Sequence, residues 1–255
     1  MTVTVAEQGG RRIRELRRAD IKAGVNRLAW DLRYDGPQAA QSQRGAPQGG
    51  GGGLFGGGAG GPSVVPGEYT VTLRAAGREL SKTVQVLGDP RVQLAQADYE
   101  AQLAAALELR ELVSQVNGVI DRTEDLKKQL TVVIENLQKP IAAAASGGGH
   151  ESNGSPADTA ALAAARSALE RVTGLRAKLT RPLPGLGYRQ FPRLREELLS
   201  LSGAIARPLA PPTEAQKHRL GELKAETAAV VSEMGTVETQ VADLNRRLEG
   251  VPHVK

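Results

Sequence analysis

The sequence predicts an α+β chain of two parts, an antiparallel β region over residues 1–93 followed by an antiparallel, coiled-coil-like bundle of long helices over 94–255. Three observations predict it. The hydrophobic period is about two as far as Asp89-Pro90 and about three and a half beyond it. Leu220, Leu223, Thr227, Val230, Met234, Val237, Val241, Leu244 and Leu248 then follow alternating steps of three and four, the seam that helix-on-helix packing requires. Gly- and Pro-rich stretches separate the periodic segments and punctuate the order.

In the first part, Thr2 to Ala6 alternates, Gly9-Gly10 supplies a hairpin turn, and Arg12 to Leu16 alternates again with Ile13 between arginines. Val25 to Leu32 reads as a third strand, with Leu28, Trp30 and Leu32 forming one apolar stripe that needs a facing sheet. A tryptophan in line with two leucines reads as core in preference to a carbohydrate platform. Two further strands are predicted at Glu68 to Leu73, with Tyr69, Val71 and Leu73 inward, and at Leu80 to Leu87, joined through Ala75-Ala76-Gly77. Residues 35–62, dominated by Gly, Gln and Ala, cannot bury enough surface to offset their ordering entropy and are expected to be a disordered loop. They do not cradle phosphate, because no Gly-Lys-Ser/Thr follows and no helix opens there.

In the second part the spacing predicts helices over about 96–139, 156–180, 193–206 and 213–248, with a flexible linker at 146–154. The first carries Tyr99, Leu103, Ala106, Val113, Val116, Ile120, Leu126, Leu130, Val133 and Leu137, with Gly118 a candidate kink and Pro140 its end. Ser155-Pro156-Ala157-Asp158 offers the second a cap, a proline at the first helical position and an acid two residues on. Leu162, Ala165, Leu169, Val172, Leu175 and Leu179 form its stripe, and Leu194, Leu198, Leu201 and Ile205 that of the third. Residues 182–192 read as an irregular crossing. The fourth begins with Thr213 and, three residues on, Gln216, a capping box, and extends about 54 Å at 1.5 Å per residue. A fully buried aliphatic contributes about 1.5 to 3 kcal/mol and an exposed ion pair about 0 to 1, so the seams decide the fold.

Little in the sequence points to chemistry. Cysteine is absent, which excludes disulfides, thiolate metal sites and a cysteine nucleophile. Aromatic residues make up 3%, too few to line a large aromatic cleft. His150, His218 and His253 are scattered and have no ligand partner at helical spacing. Asp121, Glu124 and Asp125 crowd one helical turn, whereas glycosidase carboxylates must face each other across a substrate; with Lys128 four residues after Glu124, they read as a solvated ion-pair face. The net charge of +5 comes wholly from residues 11–33, where Arg11, Arg12, Arg14, Arg17, Arg18, Lys22, Arg27 and Arg33 stand against Glu15, Asp20 and Asp31. Without interleaved aromatic or amide side chains that cluster reads as arginines blunting an exposed sheet edge, not as a nucleic-acid surface. No catalytic, cofactor or metal residue is assigned. No run of about 18 apolar residues predicts a membrane span. The first residues have neither the basic nor the apolar region of a signal peptide.

The string Lys22-Ala23-Gly24-Val25-Asn26-Arg27-Leu28-Ala29-Trp30-Asp31-Leu32-Arg33-Tyr34 resembles Ig-like sandwich domains of the flagellar hook-capping type, in which an Ala-Gly-x-Asn turn leads into a Trp-Asp strand. Val65-Pro66-Gly67-Glu68-Tyr69-Thr70-Val71-Thr72-Leu73, Gly88-Asp89-Pro90-Arg91-Val92, Phe191-Pro192-Arg193-Leu194, Pro212-Thr213 and Leu244-Asn245 extend the likeness, as does the glycine-rich insertion. In this order they resemble the C-terminal part of large bacterial sortilin-like proteins, which carry BNR (Asp-box) repeats in a β-propeller and are often called glycosyl hydrolases. The resemblance implies a partial Ig-like sandwich, lacking its first strands, ahead of the bundle, with Met1 falling inside the sandwich. It implies a non-catalytic accessory module that packs against or extends a β-propeller partner. The propeller would hold any glycosidase site, so no catalytic residue transfers to this chain. Two rival expectations are a fragment of a glycosidase and an adaptor that self-associates through the 213–248 helix. Relatives would be secreted or periplasmic.

Overall fold

The computed structural model describes residues 1–41, 60–146, 156–181, 190–248 and 254, with backbone alone at 139–146 and 156–157. Among the described residues it is an α+β chain with four strands, β1 (Thr2–Glu7), β2 (Arg12–Arg17), β3 (Gly67–Ala75) and β4 (Arg78–Val86), followed by four helices. These are α1 (Gln96–Ser146), α2 (Pro156–Leu179), α3 (Leu194–Ala206) and α4 (Glu214–Asn245). The strands form one antiparallel sheet in the order β2-β1-β3-β4, the only sheet among the described residues.

Register explains the two faces of this sheet. Val3 pairs with Leu16 and Leu73, Val5 with Arg14 and Val71, and Tyr69 with Glu7 and Val84, so the apolar residues share one face. Thr2, Thr4, Thr70, Thr72, Ser81 and Thr83 lie on the other, the alternation of a sheet that turns one side to water. Between β1 and β2 the register shifts at Val5/Ala6, leaving Ile13 unpaired as a bulge that is buried in the core. Gly10 closes this hairpin at φ 80°, and Ala76 and Gly77, at φ 50° and 73°, close the β3–β4 hairpin as a two-residue turn of the primed kind.

The third predicted strand does not form. Asn26 closes the preceding turn instead, donating from Nδ2 to the carbonyls of Lys22 (2.8 Å) and Gly24 (3.3 Å), with Gly24 at φ 96°. Leu32 then adopts φ 55°, which breaks the alternation: Leu32 is exposed, Leu28 and Trp30 are half-buried, and Tyr34 takes the buried place. The segment is held by single backbone bonds, from Tyr34 N to Pro62 O, Val64 N to Leu32 O and Asp35 N to Ile13 O, with one isolated bridge between Arg33 and Ser63. The expected disorder of 35–62 is therefore corrected at its ends, where Gly61 and Pro62 are buried and Ala40 is 1% exposed. Residues 42–59 lie outside the described residues, as do 147–154 of the expected linker, 182–189 of the expected crossing and the expected cap Ser155.

Helix α1 continues through Pro140 to Ser146, past its predicted end at 139, so Ser146 belongs to the helix and not to the linker. A proline removes one amide donor, and alanine, the strongest helix former, fills 142–145, one residue beyond it. α4 starts as predicted: Thr213 N donates to Gln216 Oε1 (2.9 Å) and Gln216 N to Thr213 Oγ1 (3.2 Å). It ends at Asn245, three residues short of the prediction, although Leu248 is still buried.

The chain divides into two compact units. The first comprises Met1–Gln38, Ala46–Val113 and Leu198–Gly221, and the second Ala39–Gly45, Ser114–Glu197 and Glu222–Lys255. In the first, Val5, Ile13, Tyr34 and Tyr69 form the core, and Trp30, Val84, Val86 and, from α1, Leu103 and Leu107 pack against them. Within it, Gln102 donates to the carbonyl of Ile205 (2.7 Å), satisfying one of the orphan acceptors at the end of α3. In the second, Leu126, Leu130, Leu175, Leu179, Leu223 and Leu244 are almost wholly buried. There, ion pairs tie α1 to α2 (Glu124–Arg176, 2.8 Å), α2 to α4 (Lys178–Glu233, 2.8 Å) and α1 to α4 (Arg122–Glu238, 2.8 Å).

Candidate functional site

The basic segment is the first candidate, and six of its eight cations bond within the chain. The carboxylate of Glu7 accepts from Arg11 Nη2 (2.7 Å) and Nε (3.1 Å). Glu15 is shared by Arg12 and Arg17. Arg14 reaches Asp35 (3.5 Å) and Asp31 (3.6 Å) across the bulge. Arg18 Nη1 donates to the carbonyl of Arg27 (2.8 Å), and Arg33 Nη1 to that of Gly61 (3.0 Å). A phosphate surface needs cations aimed outward together, whereas Arg11, Arg12, Arg14, Arg17, Arg18 and Arg33 each engage a carboxylate or carbonyl within the same unit.

The densest polar constellation lies beside that segment and was not legible in the sequence. The Tyr34 hydroxyl donates to Glu7 Oε1, the same oxygen that Arg11 Nη2 engages. Arg11's hydrogen bonds, against the opposing effect of burial and with help from Tyr34, hold the Glu7 carboxyl below its ordinary range. Burial, then the bond to Glu7, pushes the Tyr34 phenol well above its ordinary value, and burial raises Tyr69. Tyr69 donates to the carbonyl of Val65 (2.7 Å), and its ring meets Trp30 edge-on at 5.6 Å between centroids. Trp30 Nε1 donates to Arg33 O (3.0 Å). A carboxylate pinned by two donors and a phenol held protonated are poor proton carriers at neutral pH; the arrangement locks Tyr34 into the core.

The acidic cluster on α1 is dispersed by its partners. Asp121 Oδ1 accepts the amide of Gln41 (2.7 Å), and Glu124 binds Arg176 on α2 rather than Lys128 on its own helix. Both Glu124 and Arg176 are about 30% exposed, so this is a half-buried tie between helices, not the solvated face expected. Asn117, 2% exposed on α1, accepts from Arg195 Nε (2.8 Å), and burial lowers the pKa of that guanidinium. A polar residue one position after Val116, inside an apolar run, is the signal that points to Asn117; nothing in the sequence names Arg195 as its partner.

A depression of about 560 Å³ in the second unit is lined by Arg171 of α2 and by Ala229, Ser232, Glu233, Thr236 and Val237 of α4. Its one carboxylate is already bound by Lys178 Nζ at 2.8 and 2.9 Å. His218 is exposed in the first turns of α4, and His150 and His253 lie outside the described residues. Among the described residues no three His, Asp or Glu side chains stand where they could hold a metal ion, and no helix is long and apolar enough to cross a membrane. No protein-family model, curated protein or solved structure matches the chain.

Proposed function

We propose that the chain is a non-catalytic accessory module of the sortilin-like, BNR-repeat kind, whose work is to pack against or extend a β-propeller. On this reading the β region belongs to an Ig-like sandwich and the helices form an antiparallel bundle. The motifs from Lys22 to Tyr34 and from Val65 to Leu73 motivate the family. The observation that carries the non-catalytic part is the use of polar groups: Glu7, Glu15, Asp121, Glu124 and Glu233 each spend their carboxylate on a partner within the chain. A general acid or base must instead be aimed at a space that a substrate can enter. Titration of the purified chain against a BNR-repeat propeller protein, followed by calorimetry, tests it. Saturable binding without hydrolysis of aryl glycosides is expected. Turnover that is lost when one particular carboxylate is replaced overturns the non-catalytic reading, and absence of any propeller binding overturns the partner.

A further inference from the structure

The two edges of the sheet differ. Along β2 the outer edge is met at Ile13, whose carbonyl accepts Asp35 N, and arginines line the strand. Along β4 no described strand lies outside the nine residues Arg78–Val86, and the first six are exposed. The two-residue turn at Ala76-Gly77 and the unbroken register from Ala75↔Arg78 to Gly67↔Val86 fix which groups are free. In such a hairpin the residues flanking the turn exchange both backbone bonds, and the bonds then alternate. The even residues of β4 therefore bond to β3, while Glu79, Ser81, Thr83 and Gln85 turn their N–H and C=O groups outward. On the apolar face the same strand presents Leu80, Lys82 and Val84, and Lys82 has no ion-pair partner among the described residues.

We propose that the free edge of β4 is a docking site for an extended acidic strand from another protein, which adds antiparallel to the sheet with a carboxylate facing Lys82 and apolar residues facing Leu80 and Val84. Charge selects this occupant over a second copy of the chain. A two-fold pairing of β4 with itself must keep the faces of the sheet matched. Centred on Lys82, it sets the two lysines directly opposite; centred on Ser81 or Thr83, it sets them on the diagonal; centred on Leu80, it sets Arg78 against Lys82. Each of these juxtaposes like charges across the strands, which destabilises a ladder; a register centred on Val84, which sets Lys82 against Val86, escapes this but pairs no more than residues 82–86, whereas an acid opposite Lys82 is attracted. Lys82 thus guards the edge against its own kind while leaving it open to an acidic strand. This inference does not depend on the propeller assignment.

The test uses the full chain and a labelled peptide, acetyl-Thr-Val-Thr-Glu-Thr-Val-Thr-amide, followed by fluorescence anisotropy. Saturable binding is expected, about fivefold weaker with Lys82→Glu, and that variant should prefer the peptide carrying Lys in place of Glu. N-methylation of the two threonines that flank the glutamate blocks the amides facing Ser81 and Thr83 and should abolish binding; methylation of the glutamate and the valines should not. This last comparison leaves the protein untouched and so is independent of how the variant folds. No binding by the unaltered chain, equal binding of all peptides, or a concentration-dependent dimer that the peptide cannot compete would each overturn the proposal. A negative result here leaves the propeller titration to be decided on its own outcome.

Discussion

At the scale of single residues, close approach and burial set what can change. Gly61 is buried where a Cβ would lie 2.6 Å from the carbonyl oxygen of Asp35 and closer still to that of Tyr34. Those atoms are backbone and belong to the segment that bonds Tyr34 N to Pro62 O, so they cannot swing aside. Gly61→Ala should cost about 1 to 3 kcal/mol, as overpacking does, read as a lower urea midpoint. Glu7 gives the pH dependence. Its carboxyl is held below the ordinary value chiefly by Arg11, so its contribution is present above the unfolded pKa of about 4.3 and lost as the pH falls through the folded value. The stability gap between the protein and Glu7→Gln should therefore be widest near neutrality and close on acidification, in urea titrations at pH 7 and pH 3. Tyr34 has the opposite sign: its phenol is raised by burial, so its contribution persists below the unfolded value of about 10 and is lost in alkali.

At the scale of elements, α4 shows what periodicity can and cannot say. All nine of its predicted seam residues are buried, from Leu220 to Leu248. One of them is a threonine: Thr227 is fully buried, and its hydroxyl donates to the carbonyl of Leu223 (2.7 Å) within the same helix. Because that bond is local, Thr227→Val should change stability by less than about 1 kcal/mol, whereas Leu223→Ala, which opens a cavity, should cost about 2 to 5 kcal/mol. Thr213→Ala removes one half of the capping box and should cost about 0.5 to 2 kcal/mol. Thermal melts of the three variants give the order. The seams of α3 and α4 and four of the five predicted strands were legible because a buried stripe writes its period into the sequence. The stretch from Val25 to Leu32 misled for a definable reason. Its alternation is that of a strand, but Asn26 closes a local turn with Lys22 and Gly24, and the left-handed backbone at Leu32 sits where the chain bonds to the distant Pro62 and Val64. The ties Glu7–Tyr34 and Asn117–Arg195 join residues far apart in the chain, and no local pattern records them.

At the scale of the whole molecule, the same bookkeeping of buried surface predicts how the chain behaves when it meets itself or is cut. The α4 seam is buried by the chain's own residues, which leaves no stripe for a second copy, and the basic segment keeps a net positive charge that opposes its approach to another copy. Sedimentation equilibrium should accordingly give a monomer near 26.9 kDa from micromolar to near-millimolar concentration, while a mass that rises with concentration would favour the coiled-coil adaptor. A cut after residue 93 tests the other side of the argument. The apolar face of the sheet is covered in part by Leu103 and Leu107, which α1 supplies from beyond that point. Removing them uncovers Val5, Ile13, Tyr69 and their neighbours, and at about 25 cal/mol per Å² of apolar surface a small four-stranded sheet has little surplus to lose. Residues 1–93 alone should bind a hydrophobic dye, unfold without a sharp transition and associate, whereas the full chain should do none of these. A cooperative, monomeric 1–93 fragment would mean that the sheet is stable without α1.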